Sequence, residues 1–214
     1  SGFASRSNEG ITVTGSARVE AKADNAVWPL NAEYVAPTQS VAVSKVGVAV
    51  DALVKYLTNG GIPSDAIEFG SVSAYPQEEW VNGSSTGRIT SYRASRSVTV
   101  RTEDVNLVLK LSTNLGSLLE TGINVSNYGP QYYVSKLSEL RPELLKEAMQ
   151  DARLRASSIV EATGGKVGNV MSVRSGPFQV TSPDSVDTSA GGFYDTMTID
   201  KTITSTVTVV FKVK

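Results

Sequence analysis

The sequence predicts an α+β protein: antiparallel β-sheet or sheets, each backed on one face by helices, built from two related halves. Three observations carry this. The chain opens and closes on runs that alternate apolar and polar residues, 11–22 and 203–214, which is the period of a half-buried strand. Between them lie segments whose apolar residues recur at spacings of three and four, the period of a helix face. Two of those helical segments end in a glycine pair, at Gly60-Gly61 and Gly164-Gly165.

Residues 1–10 are a polar lead-in without an initiator Met, read as a trimmed start or as a linker after a signal or anchor. In the first strand Ile11, Val13, Ala17, Val19 and Ala21 face one way, and Thr12, Thr14, Arg18, Glu20 and Lys22 the other. A turn at 23–25 leads to a second strand, "AVWPLNAEYVA". Pro29 within it predicts an edge position or a bulge, because proline cannot donate to the ladder. Val43, Val46, Val50, Leu53 and Leu57 mark a helix over 40–59, which Gly60 and Gly61 end and Pro63 keeps from continuing. "AIEFGSVSAY" then reads as a strand and 77–87 as a polar excursion. "RITSYRASRSVTVRT" returns as a strand with Tyr92, Ala94, Val98 and Val100 on one side.

The second half follows the same logic. A helix over 105–120 stops at Gly122, and "INVSNYGPQYYVS" is extended. Leu145, Met149, Ala152, Ala156, Ile159 and Thr163 mark one face of a long helix that Pro142 begins, as a first-turn proline does. "VGNVMSVRSGPFQV" is a strand, 181–200 a polar excursion, and the closing strand turns Ile203, Ser205, Val207, Val209, Phe211 and Val213 to one side. One domain is expected over 11–214, with halves at about 11–103 and 104–214, each ordered as helix, Gly-Gly stop, strand, long loop and strand.

Composition narrows the chemistry. With 20 basic and 21 acidic residues, a net charge of −1 lacks the concentrated basic footprint of a nucleic-acid binder. No apolar run approaches the ~20 residues that cross a bilayer. The chain has neither cysteine nor histidine, which removes Ser–His and Cys–His catalysis and the commonest metal ligands. Carboxylate, lysine or tyrosine chemistry remains.

"GGKVG" at 164–168 is a helix stop rather than a phosphate loop. Val160 stands where a phosphate loop needs its first glycine, and the glycines follow a helix C-terminus, whose free carbonyls repel anions. The acids Glu78, Glu79, Asp184, Asp187, Asp195 and Asp200 lack the spacing of a calcium loop and read as solvated loop residues. Glu139, Glu143, Glu147 and Asp151 step by four along the long helix as a solvated face with local ion pairs. Of the arginines at 88, 93, 96 and 101, Arg93 and Arg101 share a strand face and Arg96 lies opposite. They guard a sheet edge, or Arg93 or Arg96 contacts an anionic ligand. Trp80, Tyr132, Tyr133, Phe193 and Tyr194 are the candidate interface residues, since large aromatics are enriched in interface cores; packing beneath their own loops is the alternative. No catalytic, cofactor-binding or metal-binding residue is assigned.

The stretches "ITVTGSARVEAKADNAVW", "SYRASRSVTVRTEDV", "GPQYYVSKLSELRPELLKEAMQDARLRASSIVEATGGKVGNVMSV" and "ITSTVTVVFKV", taken in order, resemble the SIMPL-domain family, bacterial proteins long filed as a domain of unknown function. The third carries an alanine-rich helix with Ala148, Ala152, Ala156 and Ala162. The resemblance implies an extracytoplasmic protein, periplasmic or tethered by an N-terminal anchor, of α+β fold. It also implies large ring-like homo-oligomers and, in some members, links to envelope or oxidative-stress phenotypes; it offers no catalytic motif. "SPDSVDTSAGGFYD" stands where many members have a Pro-rich tract. The expected function is therefore a non-enzymatic, self-assembling or scaffold protein of the cell envelope, with an envelope protein as a possible further partner. The alternative is a binding module for a peptide strand or a small anion.

Overall fold

The structure is a computed structural model that describes residues 10–185, 188–189 and 191–214; the lead-in before Gly10 and Asp187 lie outside these. Among the described residues ten strands form two antiparallel sheets, each with one long helix against it, as the two periodicities predict. The chain packs as two compact units. One is the continuous stretch Asp24–Tyr133, and the other joins the described residues up to Ala23 with those from Val134 to Lys214. The boundaries expected at 103 and 104 differ for a simple reason. The first strand pairs with the last strand of the whole chain, from Gly10 opposite Lys212 to Lys22 opposite Asp200.

The continuous unit holds β2 (Asn25–Ala36), α1 (Gln39–Asn59), β3 (Ile67–Phe69), β4 (Ser73–Val81), β5 (Ser84–Thr102), α2 (Val105–Thr113), α3 (Gly116–Leu119), β6 (Val125–Asn127) and β7 (Gln131–Tyr133). β2 and β5 form its centre. β3 and β4 pair along the far side of β5, and β6 and β7 along the far side of β2. Alternation in β2 buries Ala26, Trp28, Leu30 and Ala32, and α1 lies over β2 and β5 with Ala42, Val46, Ala49, Val50, Leu53 and Leu57 inward. Pro29 is neither on an edge strand nor in a bulge. It sits opposite Thr99 in unbroken register, and on the other side of β2 it falls between the residues paired with β7 (25–27) and those paired with β6 (30–32). A central strand tolerates proline here because that side of the ladder is interrupted at this point.

Four segments depart from the sequence reading, the first being the strand over 66–75, which is interrupted at 70–72 between β3 and β4. The excursion over 77–87 is a β-hairpin, turned by Asn82 (φ 51°) and Gly83 (φ 80°), two consecutive left-handed residues as a tight hairpin turn requires. The helix over 105–120 breaks after Thr113, where the Asn114 side chain donates to the Lys110 carbonyl at 2.9 Å. The strand over 167–180 breaks at Gly176 and Pro177, giving β8 (Val167–Ser175) and β9 (Gln179–Thr181).

The other unit is built on β10 (Asp200–Val213), with β1 (Gly10–Lys22) along one side and β8 and β9 along the other. α4 (Leu137–Ala162) lies across β1 and β10. Pro142 is inside this helix, five residues after Leu137, rather than in its first turn. The buried face is Leu144, Ala148, Ala152, Ala156 and Val160; of the expected set Ala152 and Ala156 lie on it, Leu145 and Met149 pack half-buried at its border, and Ile159 is exposed. Both glycine pairs terminate helices in the same way: Ile62 and Gly165 donate to carbonyls five residues back, while Gly61 and Gly164 donate three back.

Candidate functional site

The β4–β5 hairpin extends past the core as a two-stranded arm. Every residue from Trp80 to Thr90 is exposed, and Trp80 (67% exposed), Val81 and Ile89 are large apolar side chains in water. An isolated two-stranded ribbon is marginally stable in water. Local contacts hold this one: Ser85 donates to the Glu78 carboxylate, Arg88 lies 3.7 Å from that of Glu79, and Gly87 (φ 76°) sits in a bulge. No core is available at the tip to cover Trp80.

The other aromatic candidates are placed differently. Tyr132 is buried in the continuous unit and is not available to a partner; its hydroxyl has no hydrogen-bond partner among the described residues, and burial pushes its phenol above the ordinary value. Tyr133, its alternate on β7, is half-buried, with its hydroxyl donating to Gln131 Oε1 at 3.0 Å. Phe193 and Tyr194 are knitted into their own unit. Gln179 Oε1 accepts from the Phe193 N–H at 2.8 Å, and the Tyr194 hydroxyl accepts from the Val134 N–H at 2.9 Å. Their loop thus packs on its own sheet.

Arg93 and Arg96 lie on opposite faces, as strand parity requires. Arg93 forms an ion pair with Glu33, which raises its already high pKa by hydrogen bonding and by charge. Glu33 takes its Nη1, and the Gln77 amide oxygen accepts from its Nε at 3.0 Å and its Nη2 at 3.3 Å, so every nitrogen of this guanidinium already has a partner. Arg96 donates to the Gly70 carbonyl at 2.9 Å, and its guanidinium lies 4.9 Å from the centroid of the Phe69 ring. It borders a groove of about 690 Å³ where Lys55 adds a positive charge and Asp51 a negative one. Arg101 pairs with Glu68 at 3.1 Å, and Arg88 with Glu79 on the arm. Among the described residues no three acidic side chains gather as a metal site.

One titratable group escaped the sequence reading. Lys201 is 1% exposed, on the face of β10 that also carries Ile203, Ser205 and Val207, and that inward parity was the available signal. Its Nζ donates to the Asp195 carbonyl, with the Asp195 carboxylate at 3.8 Å. Burial lowers its pKa, opposed by the charge of Asp195. A desolvated amine suits nucleophilic chemistry, but this one is enclosed and committed to the 194–200 loop, which it pins to the sheet. The folded chain therefore binds this proton more weakly than the unfolded chain, whose ordinary value is 10.5. Between the lowered value and 10.5 the unfolded state holds more protons, so stability rises with pH across that window. Urea unfolding from neutral pH to pH 10.5 is expected to show this rise in the native chain and a flatter profile in Lys201→Met.

The fold defines an α+β protein of two helix-on-sheet units with an exposed apolar arm. Residues 11–211 match the SIMPL family model, described as a protein of unknown function (DUF541), and the chain belongs to that family. No curated protein matches it. Among solved structures, a hydrolase from Listeria innocua aligns over 92% of this chain and 91% of its own at 9% identity, with a TM-score of 0.19, too low to carry an argument about either fold or activity. No helix among the described residues is long and apolar enough to cross a membrane.

Proposed function

We propose that this protein is a non-enzymatic, extracytoplasmic protein of the cell envelope that self-assembles through the β4–β5 arm, with a scaffold role in envelope or oxidative-stress physiology. The single observation that carries self-assembly is the arm itself, a ribbon with Trp80, Val81 and Ile89 in water and no core beneath its tip. Buried Trp is a frequent centre of interface energy. The envelope location and the stress link draw on the family resemblance. Enclosure of Lys201 and the commitment of the Arg93 guanidinium to Glu33 and Gln77 favour this reading over an enzyme or an anion site at Arg93.

Light scattering on a sizing column, over a range of concentrations, tests it. The native chain is expected to run as a defined multiple of 22.7 kDa. Trp80→Ser is expected to dissociate it while changing the stability of the isolated chain by less than about 0.5 kcal/mol, as surface substitutions do. A monomer at every concentration, or an oligomer indifferent to Trp80→Ser, would remove the arm as the assembly element.

A further inference from the structure

Most free strand edges in this fold are guarded. β3, β6, β7 and β9 are three residues long, β4 carries Pro76 and two register shifts, and β8 has two shifts against β10. β1 has none of these devices. It is 13 residues long, lies at the edge of its sheet, contains no proline and keeps unbroken register with β10.

The direction of its backbone groups can be fixed. The Ser16 N–H donates to Asp151 Oδ2 at 2.8 Å, so it points away from β10 and toward the open edge. With the register unbroken, Thr12 and Thr14 share its parity and turn their N–H and C=O groups outward as well. Thr14 Oγ1 lies 3.3 Å from Thr208 Oγ1, the close side-chain approach of a pair that does not exchange backbone bonds.

Beside that edge runs one stripe of α4. Leu154, Arg155, Ser158 and Ile159 line, with Thr12–Thr14, a groove of about 500 Å³. Leu154 is 68% exposed and Ile159 53%, both large for solvent-facing helix positions. Asp151 is committed: it accepts from the Ser16 N–H and from Arg155 Nε at 2.9 Å. The Ser16 N–H first, and Arg155 after it, hold the Asp151 carboxyl below its ordinary value, against the burial that would raise it. The terminal nitrogens of Arg155 make no hydrogen bond among the described residues. The groove therefore offers outward backbone groups, an apolar wall and a cation with donors to spare, and Asp151 closes the edge beyond Thr14.

We propose that the Thr12–Thr14 edge of β1 and the Leu154–Ile159 stripe of α4 form a strand-addition site for an extended peptide of another protein, with apolar residues at alternate positions and a carboxylate facing Arg155. The peptide backbone continues the sheet, its helix-side residues lie against Leu154 and Ile159, and its carboxylate takes the free guanidinium nitrogens. This site is built from residues of the β1–β10 unit alone, whereas the Trp80 arm belongs to the Asp24–Tyr133 unit, and it does not depend on self-assembly.

The test uses the full chain and an array of short fluorescent peptides that alternate Val, Ile or Leu with Ser or Thr, each with and without one Glu. Anisotropy is expected to show saturable binding that favours the Glu peptides, with slowed amide exchange at Thr12 and Thr14. Thr14→Pro, which deletes an outward N–H, and Ile159→Glu should each weaken binding by about tenfold or more, circular dichroism remaining native. Arg155→Gln should abolish only the preference for Glu. Absence of saturable binding across the array, binding indifferent to Thr14→Pro and Ile159→Glu, or protection elsewhere in the chain would overturn the proposal. So would protection of Thr12 and Thr14 in the peptide-free oligomer, which would assign the edge to a second copy.

Discussion

Gly15→Ala is expected to destabilise the β1–β10 unit by about 3 kcal/mol or more, at or beyond the upper end of ordinary overpacking. A Cβ on Gly15 would collide with the Ala148 carbonyl oxygen and the Ala152 backbone nitrogen, and would stand 2.7 Å from Ala152 Cβ. Two of these three atoms belong to the helix backbone and cannot rotate away. The contact is close because Ala148, Ala152 and Ala156, all fully buried, bring the α4 backbone down onto β1. Relief would require lifting the helix, which would open the cluster of Val13, Val207, Val209 and Phe211 beneath it. It would also draw Asp151 away from the Ser16 N–H. Urea unfolding should show the loss, and amide exchange should speed up along α4 and β1. Adding Ala152→Gly should not rescue the variant, since the backbone atoms remain and a mid-helix glycine costs about 1 kcal/mol more. A Gly15→Ala chain as stable as the native one would mean that α4 does not sit this close to the sheet.

That contact also shows where the sequence is legible and where it is not. Alternation identified β1 and β10 with their inward residues, apart from the exposed Val213, and the spacing of three and four identified α1 and α4. The expected inward face of α4 shared Ala152 and Ala156 with the observed one but was centred too far toward Leu145, Met149 and Ile159, which hydrophobicity favours. Close packing against a glycine favours small residues, and the alanine stripe lies at the centre of the contact. Ser, Thr and Gly composition disguised the β4–β5 hairpin as a loop, although Asn82-Gly83 between strands is its own turn signal. Pro29 misled because its tolerance depends on β6 and β7, paired from about a hundred residues away. Of the candidate site, Trp80 was found from its residue type in a polar segment, and Lys201 was legible only as a lysine at an inward position of β10. The Asp151–Ser16 bond was not legible at all. It joins residues 135 apart, and on the helix alone Asp151 is one more acid in a solvated row.

The two units place their specificity differently. In the β1–β10 unit, close backbone approach fixes how the helix lies, so a methyl group is the disruptive change. In the Asp24–Tyr133 unit a large side chain and one polar link do the fixing, so deletion is the disruptive change.

Trp28→Ala is accordingly expected to cost about 3–5 kcal/mol, the range for emptying a buried aromatic site. Trp28 is 0% exposed on the helix-facing side of β2, and its Nε1–H donates to Asn127 Oδ1 at 2.8 Å. The same oxygen accepts from the Gly129 N–H at 2.9 Å and so ties down the link between β6 and β7, beside the interruption that accommodates Pro29. Two variants separate the contributions. Asn127→Ala leaves the ring in place but orphans its buried N–H, at about 1–3 kcal/mol. Trp28→Phe removes that donor and part of the ring, leaving Asn127 free to hold Gly129, so amide protection over β6 and β7 should persist as it does not in Asn127→Ala. The chain has two tryptophans, which makes the readout direct. In a Trp80→Phe background, fluorescence reports only the buried indole, and its unfolding midpoint should follow the Asp24–Tyr133 unit. If Trp28→Ala in that background unfolded at the same urea concentration as its parent, measured by circular dichroism, the indole would not be part of this core. The Asn127 bridge would then have to be redrawn.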